Sequence, residues 1–443
     1  MMMPASADTI YALSSGALPS GVAVLRLSGP RAFDALAILI HGELPPPRKA
    51  ALRSIRDRNG GVIDQALVIT FPAPNSFTGE DCVEIHSHGS RAVIAAISNE
   101  LGRLDALRPA DAGEFSRRAF ENGKMDLLEV EGLADLLQAE TEMQRRLAVE
   151  QSTGRLSALY DGWAERLTRA RAFIEAELDF ADEEDVPDSV ASQVWDSVAA
   201  LKDEIQRHLT AGNTGEIIRD GFKVALVGEP NAGKSTLLNA LSGRDIAIVT
   251  DIAGTTRDVL TVDINLDGYL VRLFDTAGIR ETQDVVEQEG VRRAIFTAET
   301  ADLILILSDN DSPPKHLFNV PHEQTLLLRT KTALRSGNHC GTFDLFVSAM
   351  EGIGLDELRG RLRAEIENRL GAGQTLIPTR ARHKKRLEET LIYVSDALDS
   401  EGSDLAIRSE FLRLAATSLG RITGRVDVED LLGVIFSEFC IGK

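Results

Sequence analysis

Gly228-Glu229-Pro230-Asn231-Ala232-Gly233-Lys234-Ser235 follows an apolar run at residues 222–227 and precedes helical text. The octapeptide matches the G-x-x-x-x-G-K-[ST] loop between a strand and a helix. Its glycines let backbone N–H groups curl around phosphates, Lys234 reaches the β/γ oxygens, and Ser235 offers a hydroxyl to magnesium. Read outward from this loop, residues 220–372 alternate strand and helix, with apolar runs at 259–266, 270–275, 303–308, 325–330 and 345–348. Such alternation predicts a mostly parallel sheet covered on both faces.

The order of the motifs after the loop points to a guanine-nucleotide switch. Gly254-Thr255-Thr256-Arg257-Asp258 reads as the first switch, its threonine completing the magnesium shell when the γ-phosphate is bound. Asp275-Thr276-Ala277-Gly278 ends a strand as a second switch does: the aspartate holds magnesium through water, and the Gly278 N–H senses the γ-phosphate. Ile279 stands where Ras-like enzymes carry a glutamine that orients water, so hydrolysis needs another device. Glu287 is the nearest candidate carboxylate, and from the residues alone an exposed helix position is the better reading of it.

The base-reading text departs from the usual Asn-Lys-x-Asp and runs Thr330-Lys331-Thr332-Ala333, with Ser348-Ala349 as the second base-contacting loop. Ala333 stands where a carboxylate would accept from guanine, which predicts weakened GTP binding and relaxed base discrimination. Asp344 is a carboxylate that could reach the base instead.

On either side the text changes. Residues 1–120 mix strand-like runs (22–27, 66–71, 82–86) with helical segments and Pro-rich loops, a small α/β pattern. Residues 124–209 show long helical periodicity, broken by the acidic knot Asp182-Glu183-Glu184-Asp185, and helical text returns at 375–443. A helical domain of residues 122–219 and 373–443 interrupted by an inserted domain at 220–372 is the economical arrangement, because the termini of an inserted domain lie close together.

Composition bounds the rest. A formal charge of −20 argues against sequence-blind nucleic-acid binding, so any RNA contact needs a local basic patch. The densest basic run, Arg380-Ala381-Arg382-His383-Lys384-Lys385-Arg386, is such a candidate, and a solvated helix start is an equal reading. Three well-separated cysteines (Cys82, Cys340, Cys440) suit a reducing compartment, and the expectation is a cytoplasmic protein with neither a membrane span nor a secretory leader. His86 and His88 share a strand face but lack an evident third ligand, so ordinary core or surface histidines are expected.

Taken together, the motifs resemble the tRNA-modification GTPase MnmE (TrmE) family along essentially the whole chain. Beyond the phosphate loop and Thr250–Asp258, the specific text is Val24-Leu25-Arg26-Leu27-Ser28-Gly29, then Phe77-Thr78-Gly79-Glu80-Asp81, Val83-Glu84-Ile85, the block from Gly113-Glu114-Phe115-Ser116 through Lys124-Met125-Asp126-Leu127, and Cys440-Ile441-Gly442-Lys443. The resemblance implies an N-terminal α/β domain (1–121) that dimerises and binds a 5-formyltetrahydrofolate-type cofactor, a discontinuous helical domain, and an inserted Ras-like P-loop G domain. It also implies a homodimer, a flavoprotein partner of the MnmG type joined in a heterotetramer, and action on C5 of the wobble uridine of certain tRNAs. Arg26, Glu84 and Lys124 match folate-contacting positions, with Lys443 joining from the C-terminus.

The resemblance further implies that potassium replaces an arginine finger in hydrolysing GTP to GDP. Asn231 matches its side-chain ligand, and Thr250, Ile252 and Thr255 its cage within the loop Thr250-Asp251-Ile252-Ala253-Gly254-Thr255. Ser235 and Thr256 match the magnesium ligands, and Glu287 the residue that orients water. Cys440 reads from the residues either as a thiol with a chemical role or as a buried small hydrophobe. GTP itself is expected against Asn231-Ala232-Gly233-Lys234-Ser235-Thr236, residues 250–256 and residues 275–278, together with Lys331, Ser348 and Ala349. Two other readings stand beside this one: a ribosome-assembly GTPase switch, and a nucleotide-binding scaffold without catalysis.

Overall fold

The structure is a computed structural model that describes residues 8–179, 188–210, 212–229, 231–244, 247–248, 260–275, 301–310, 325–331, 343–370, 376–400, 404–426, 432, 435–436, 439 and 442. The chain forms two compact units: Met1–Ala134 with Gln151–Arg166 and Ala416–Lys443, and Asp135–Glu150 with Leu167–Ala415. Among the described residues no helix is long and apolar enough to cross a membrane.

The first unit is built on strands β1 (Thr9–Leu13), β2 (Ser20–Ser28), β3 (Ala51–Arg56), β4 (Val62–Phe71), β5 (Cys82–Gly89) and β6 (Leu107–Pro109), in the order β3-β4-β5-β2-β1-β6. Every neighbouring pair is antiparallel except β1 with β6. Side chains alternate between faces along each strand. Ala23, Leu25 and Leu27 of β2 and Val83 and Ile85 of β5 therefore share one face, fully buried beneath the helices Ala32–Ile40 and Arg91–Leu101. Each large aliphatic there contributes about 1.5–3 kcal/mol of burial. The same alternation turns Arg26, Glu84 and His86 toward the opposite face, where Ile10, Ala12, Ala110 and Phe115 form a smaller core with Phe77 packed on it.

The second unit contains β7 (Phe222–Gly228), β8 (Ala247–Ile248), β9 (Leu260–Leu266), β10 (Tyr269–Asp275), β11 (Leu303–Ser308), β12 (Thr325–Thr330) and β13 (Leu345–Val347), in the order β13-β12-β11-β7-β10-β9-β8. Strands β13, β12, β11, β7 and β10 run parallel, and β9 is antiparallel to β10 and β8. Strand β11 is buried along its whole length, as expected of a parallel strand covered on both faces. Leu237 and Leu241 of the helix Lys234–Arg244, with Leu358 and Leu362 of the helix Leu355–Leu370, cover one face. This is a Ras-like sheet, with the first parallel strand, β7, at its centre.

The helical text at 127–155 divides more finely than its periodicity suggests, into Leu127–Gln138, Glu142–Ser152 and Arg155–Asp179. The first break is a reciprocal cap. Gln144 Oε1 accepts from the backbone N–H of Thr141 at 3.1 Å, while the Gln144 N–H donates to Thr141 Oγ1 at 3.4 Å. The second break falls at Gly154, whose φ of +75° suits glycine. The acidic knot at 182–185 lies outside the described residues.

Candidate functional site

The phosphate loop leaves the C-terminal end of β7 at the centre of its sheet, where the ends of parallel strands open a crevice. Gly228 is required there by packing, since a Cβ would lie 2.5 Å from the Leu307 carbonyl oxygen. Asn231 takes φ +65°, a left-handed turn that asparagine tolerates, and Gly233 takes φ +96°. The loop then feeds the N-terminus of the helix Lys234–Arg244, whose free N–H groups and dipole favour an anion.

Lys234 is only 7% exposed, and its ammonium donates to the carbonyl oxygens of Gly228 at 2.7 Å and Glu229 at 3.1 Å. Burial lowers its pKa, and the Asp275 carboxylate opposes that shift. Ser235 Oγ donates to Asp275 Oδ2 at 2.8 Å, which brings two hard oxygen donors together beside the loop. A hydroxyl next to a carboxylate is a donor set suited to magnesium.

Thr330 closes the loop from the other side. Its buried hydroxyl donates to the Ala232 carbonyl at 2.8 Å, so the end of β12 holds the middle of the phosphate loop in place. Sequence reasoning missed this role, although a hydroxyl in the first position of the base-reading motif was the available signal. Lys331 turns at φ +60°, and its ammonium pairs with Asp309 Oδ2 at 2.8 Å. A cavity of about 250 Å³ opens between the phosphate loop, Lys331 and the Ser348-Ala349 loop, with Leu237, Val347, Ala349 and Met350 as apolar walls. Thr236, in the first turn of the helix Lys234–Arg244, is exposed and lines this cavity with Gly233 and Thr330. The structure thus sets Thr236 on the Lys331 side of the loop, whereas its neighbour Ser235 turns toward Asp275.

Asp344 does not serve this cavity. Its carboxylate accepts from the Leu327 N–H at 2.8 Å, and its own N–H donates to the Leu327 carbonyl. It therefore fastens β13 to β12 three residues before Thr330, about 10 Å along the strand from the base-reading end. Thr250, Asp251, Ile252, Ala253, Gly254, Thr255, Thr256, Thr276, Ala277, Gly278, Glu287, Thr332 and Ala333 lie outside the described residues.

A second polar site occupies the first unit. Arg26 and Glu84 are directly opposite in the β2–β5 register, and Arg26 Nη2 lies 2.9 Å from Glu84 Oε1. Both side chains keep about a fifth of their surface exposed. The guanidinium also lies 5.1 Å from the Phe77 ring centre and 5.8 Å from that of Phe115, within cation–π range. His86 Nε2 is 3.2 Å from the second Glu84 oxygen, and His88 pairs with Asp64; no metal-holding cluster of His, Cys, Asp and Glu occurs among the described residues.

The neighbouring loop is held from below. Arg118, 4% exposed in its side chain, pairs with Asp8, Glu80 and Glu114, and Ser28 Oγ donates to Glu80 Oε2 at 2.6 Å. Asn122 Nδ2 donates to the Thr78 carbonyl at 2.7 Å. Lys124 packs so closely beside Gly79 that a Cβ there would come within 3.2 Å of Lys124 Cε. From the other end of the chain, Ser14 Oγ donates to the Gly442 carbonyl at 2.6 Å; Cys440 and Lys443 lie outside the described residues.

The basic run at 380–386 is largely engaged within its own unit. Arg380 Nη2 meets Asp135 at 2.8 Å, Lys384 meets Glu216 at 2.6 Å, Arg386 meets Glu389 at 2.7 Å, and His383 is fully buried. These pairs favour the helix-start reading over a patch reserved for phosphates, since three of its cations already face carboxylates.

Two family models match the chain: the N-terminus of the GTP-binding protein TrmE over residues 9–124 and the MnmE helical domain over residues 127–440. The tRNA modification GTPase MnmE of Agrobacterium fabrum is 79% identical over 442 residues, covering 100% of both chains. The protein of the same description from Rhizobium johnstonii is 58% identical, covering 98% of this chain and 99% of its own, and that of Brucella ovis is 51% identical over 98% of each.

Proposed function

The chain belongs to the MnmE family of tRNA-modification GTPases, and from that premise we propose that it hydrolyses GTP with potassium in place of an arginine finger and uses the cycle to modify C5 of a tRNA wobble uridine. The observation that carries the proposal is the phosphate loop itself. It presents exposed Asn231 at its lip, Lys234 folded over its carbonyls, and Ser235 already bonded to Asp275.

In this reading the Lys234 ammonium leaves the loop carbonyls for the β/γ oxygens, and the loop N–H groups, with that of Thr236, take the remaining phosphate charge. Ser235 and Asp275, with Thr256, would hold magnesium, which screens the phosphate oxygens when bound. Asn231, with Thr250, Ile252 and Thr255, would hold potassium, whose charge acts where an arginine finger acts at the transition state. Glu287 orients the attacking water. Thr330 keeps the Ala232 segment in register, so the N–H donors need no rearrangement during the reaction.

The first unit is proposed to bind the folate carrying the one-carbon unit. Glu84 accepts from the pterin donors, Arg26, Lys124 and Lys443 meet its carbonyl and glutamate oxygens, and Cys440 approaches from the C-terminus. A homodimer, a flavoprotein partner and the tRNA complete the working assembly.

Initial rates of GTP hydrolysis by the pure protein in potassium and in sodium at equal ionic strength test this reading. Potassium is expected to stimulate strongly, and Asn231→Ala to erase the stimulation while GTP still binds. Equal rates in the two salts would overturn it.

A further inference from the structure

Guanine presents two adjacent donors, N1–H and the exocyclic 2-amino group, and a carboxylate can accept both at once. The residue expected to supply that carboxylate is Ala333, whose methyl group accepts nothing. Two nearby acids are already engaged: Asp309 pairs with Lys331, and Asp344 fastens β13 to β12. Among the described residues lining the 250 Å³ cavity, one carboxylate remains, that of Glu351.

Its position is fixed by the backbone. Ser348 and Ile353 form an antiparallel bridge, with Ser348 N–H donating to the Ile353 carbonyl at 3.0 Å and the reverse bond at 3.1 Å. The bridge pinches residues 349–352 into a tight loop, helped by Gly352 and Gly354 at φ +73° and +72°. Gly354 cannot be larger, because a Cβ would lie 2.1 Å from the Phe346 carbonyl oxygen. Glu351 is thereby held at the cavity, exposed, and its carboxylate pairs with no other described residue.

We propose that Glu351 is the specificity-determining residue of the nucleotide site, its carboxylate accepting the N1–H and 2-amino hydrogens of guanine in place of the carboxylate missing at position 333. The proposal rests on the reading of this cavity as the base pocket. Adenine, with an acceptor at N1, meets the Glu351 carboxylate with repulsion, and hypoxanthine, lacking the 2-amino group, offers one donor fewer. Exposure leaves the Glu351 side chain hydrated before binding, so the selectivity it gives stays at the modest end of the range for such contacts.

Full-length protein loaded with a fluorescent guanine nucleotide is titrated with GTP, ITP, XTP and ATP, for the wild type, Glu351→Gln and Ala349→Phe. Thermal melts confirm that each variant is folded. Glu351→Gln is expected to weaken GTP by about tenfold, the low end for a charge-assisted contact, and ITP by less. It is also expected to raise XTP relative to GTP, since an amide offers one acceptor to N1–H and one donor to the xanthine 2-oxygen. That exchange of preference is one that a merely structural role for Glu351 would not produce. Unchanged GTP:ITP:XTP ratios in Glu351→Gln would overturn the assignment. Ala349→Phe fills the cavity and should weaken all the purine nucleotides together. If it leaves them untouched, the base-pocket reading itself fails; if it weakens them while Glu351→Gln is silent, only the assignment of Glu351 fails.

Discussion

Replacing Thr330 with valine isolates the bond between β12 and the phosphate loop. The substitution keeps the shape of the side chain and removes the hydroxyl that donates to the Ala232 carbonyl at 2.8 Å. Thr330 is 6% exposed, so water has poor access to replace the lost donor. A buried carbonyl left without its partner costs about 1–3 kcal/mol. That total divides between two observables. If the loop stays in place, the whole cost appears as lost stability, at about 2–4 °C of melting temperature per kcal/mol for a unit of this size. If the loop relaxes, part of the cost moves to binding, because GTP must then restore the bonded geometry, with a ceiling of about 5–150-fold in affinity. Melting of the nucleotide-free protein and GTP titration should together recover about 1–3 kcal/mol. Thr330→Ser, which keeps the hydroxyl, should recover most of both. A Thr330→Val protein that melts and binds GTP like the wild type would refute the reasoning.

Other outcomes follow from the rest of the molecule. Arg26→Ala leaves Glu84 without its cross-strand partner and should weaken 5-formyltetrahydrofolate by about tenfold or more in calorimetric titration, whereas unaltered binding would remove Arg26 from the folate site. Deleting residues 440–443 should abolish uridine modification in cells while the purified protein still turns over GTP; a truncated protein that restores the modified base contradicts this. Burial, with His383 beside it, holds the His208 imidazole down to about 4. Below about 6.5 the unfolded chain binds a proton that the folded chain refuses, so stability falls as pH drops from about 6.5 toward 4 and is level above about 7. The ceiling is about 1.4 kcal/mol per pH unit, and partial exposure of His208 keeps the measured slope below it. His208→Gln should flatten that slope in urea titrations at pH 7.5 and 5; an identical slope would show that another group carries it.

How far the sequence could be read depended on the range of the interaction. The phosphate loop was legible because its chemistry is local: eight consecutive residues carry the turn, the lysine ammonium and the serine hydroxyl. Strands β7 and β9 to β13 were legible within a residue or two, since buried parallel strands such as β11 are continuous apolar runs, whereas the two-residue β8 carries no such run and was missed. The break at Thr141 was hidden because a cap uses two polar residues that helical periodicity also accepts. Arg26 and Glu84 stand 58 residues apart in sequence, and their cross-strand pairing depends on a register that no short pattern encodes. Only the family resemblance brought them together beforehand. Asp344 misled for the same reason: nearness to the base-reading motif in sequence says nothing about which end of a strand a carboxylate occupies. In the basic run at 380–386, the partners Asp135 and Glu216 lie on distant segments, so their prior claim on those cations was invisible in the composition.

The contacts between the two ends of the first unit bear on how the protein is made. Leu127, Val130 and Ala134 find their packing partners in Ile435, Phe436 and Phe439, and Ser14 finds its acceptor in Gly442. About 300 residues, among them nearly the whole second unit, must emerge from the ribosome between those partners, which at about 5–20 residues per second takes roughly 15–60 s. During that interval the early strands can pair, but the apolar stripe from Leu127 to Ala134 lacks the Ile435, Phe436 and Phe439 side chains and has only near neighbours such as Phe120 and Met125 against it. The second unit, finished at about residue 415, can fold before its neighbour is complete. A nascent chain can therefore pair β1 to β6 early, whereas the stripe at 127–134 and Ser14 meet their last partners only once residues 435–442 have been made.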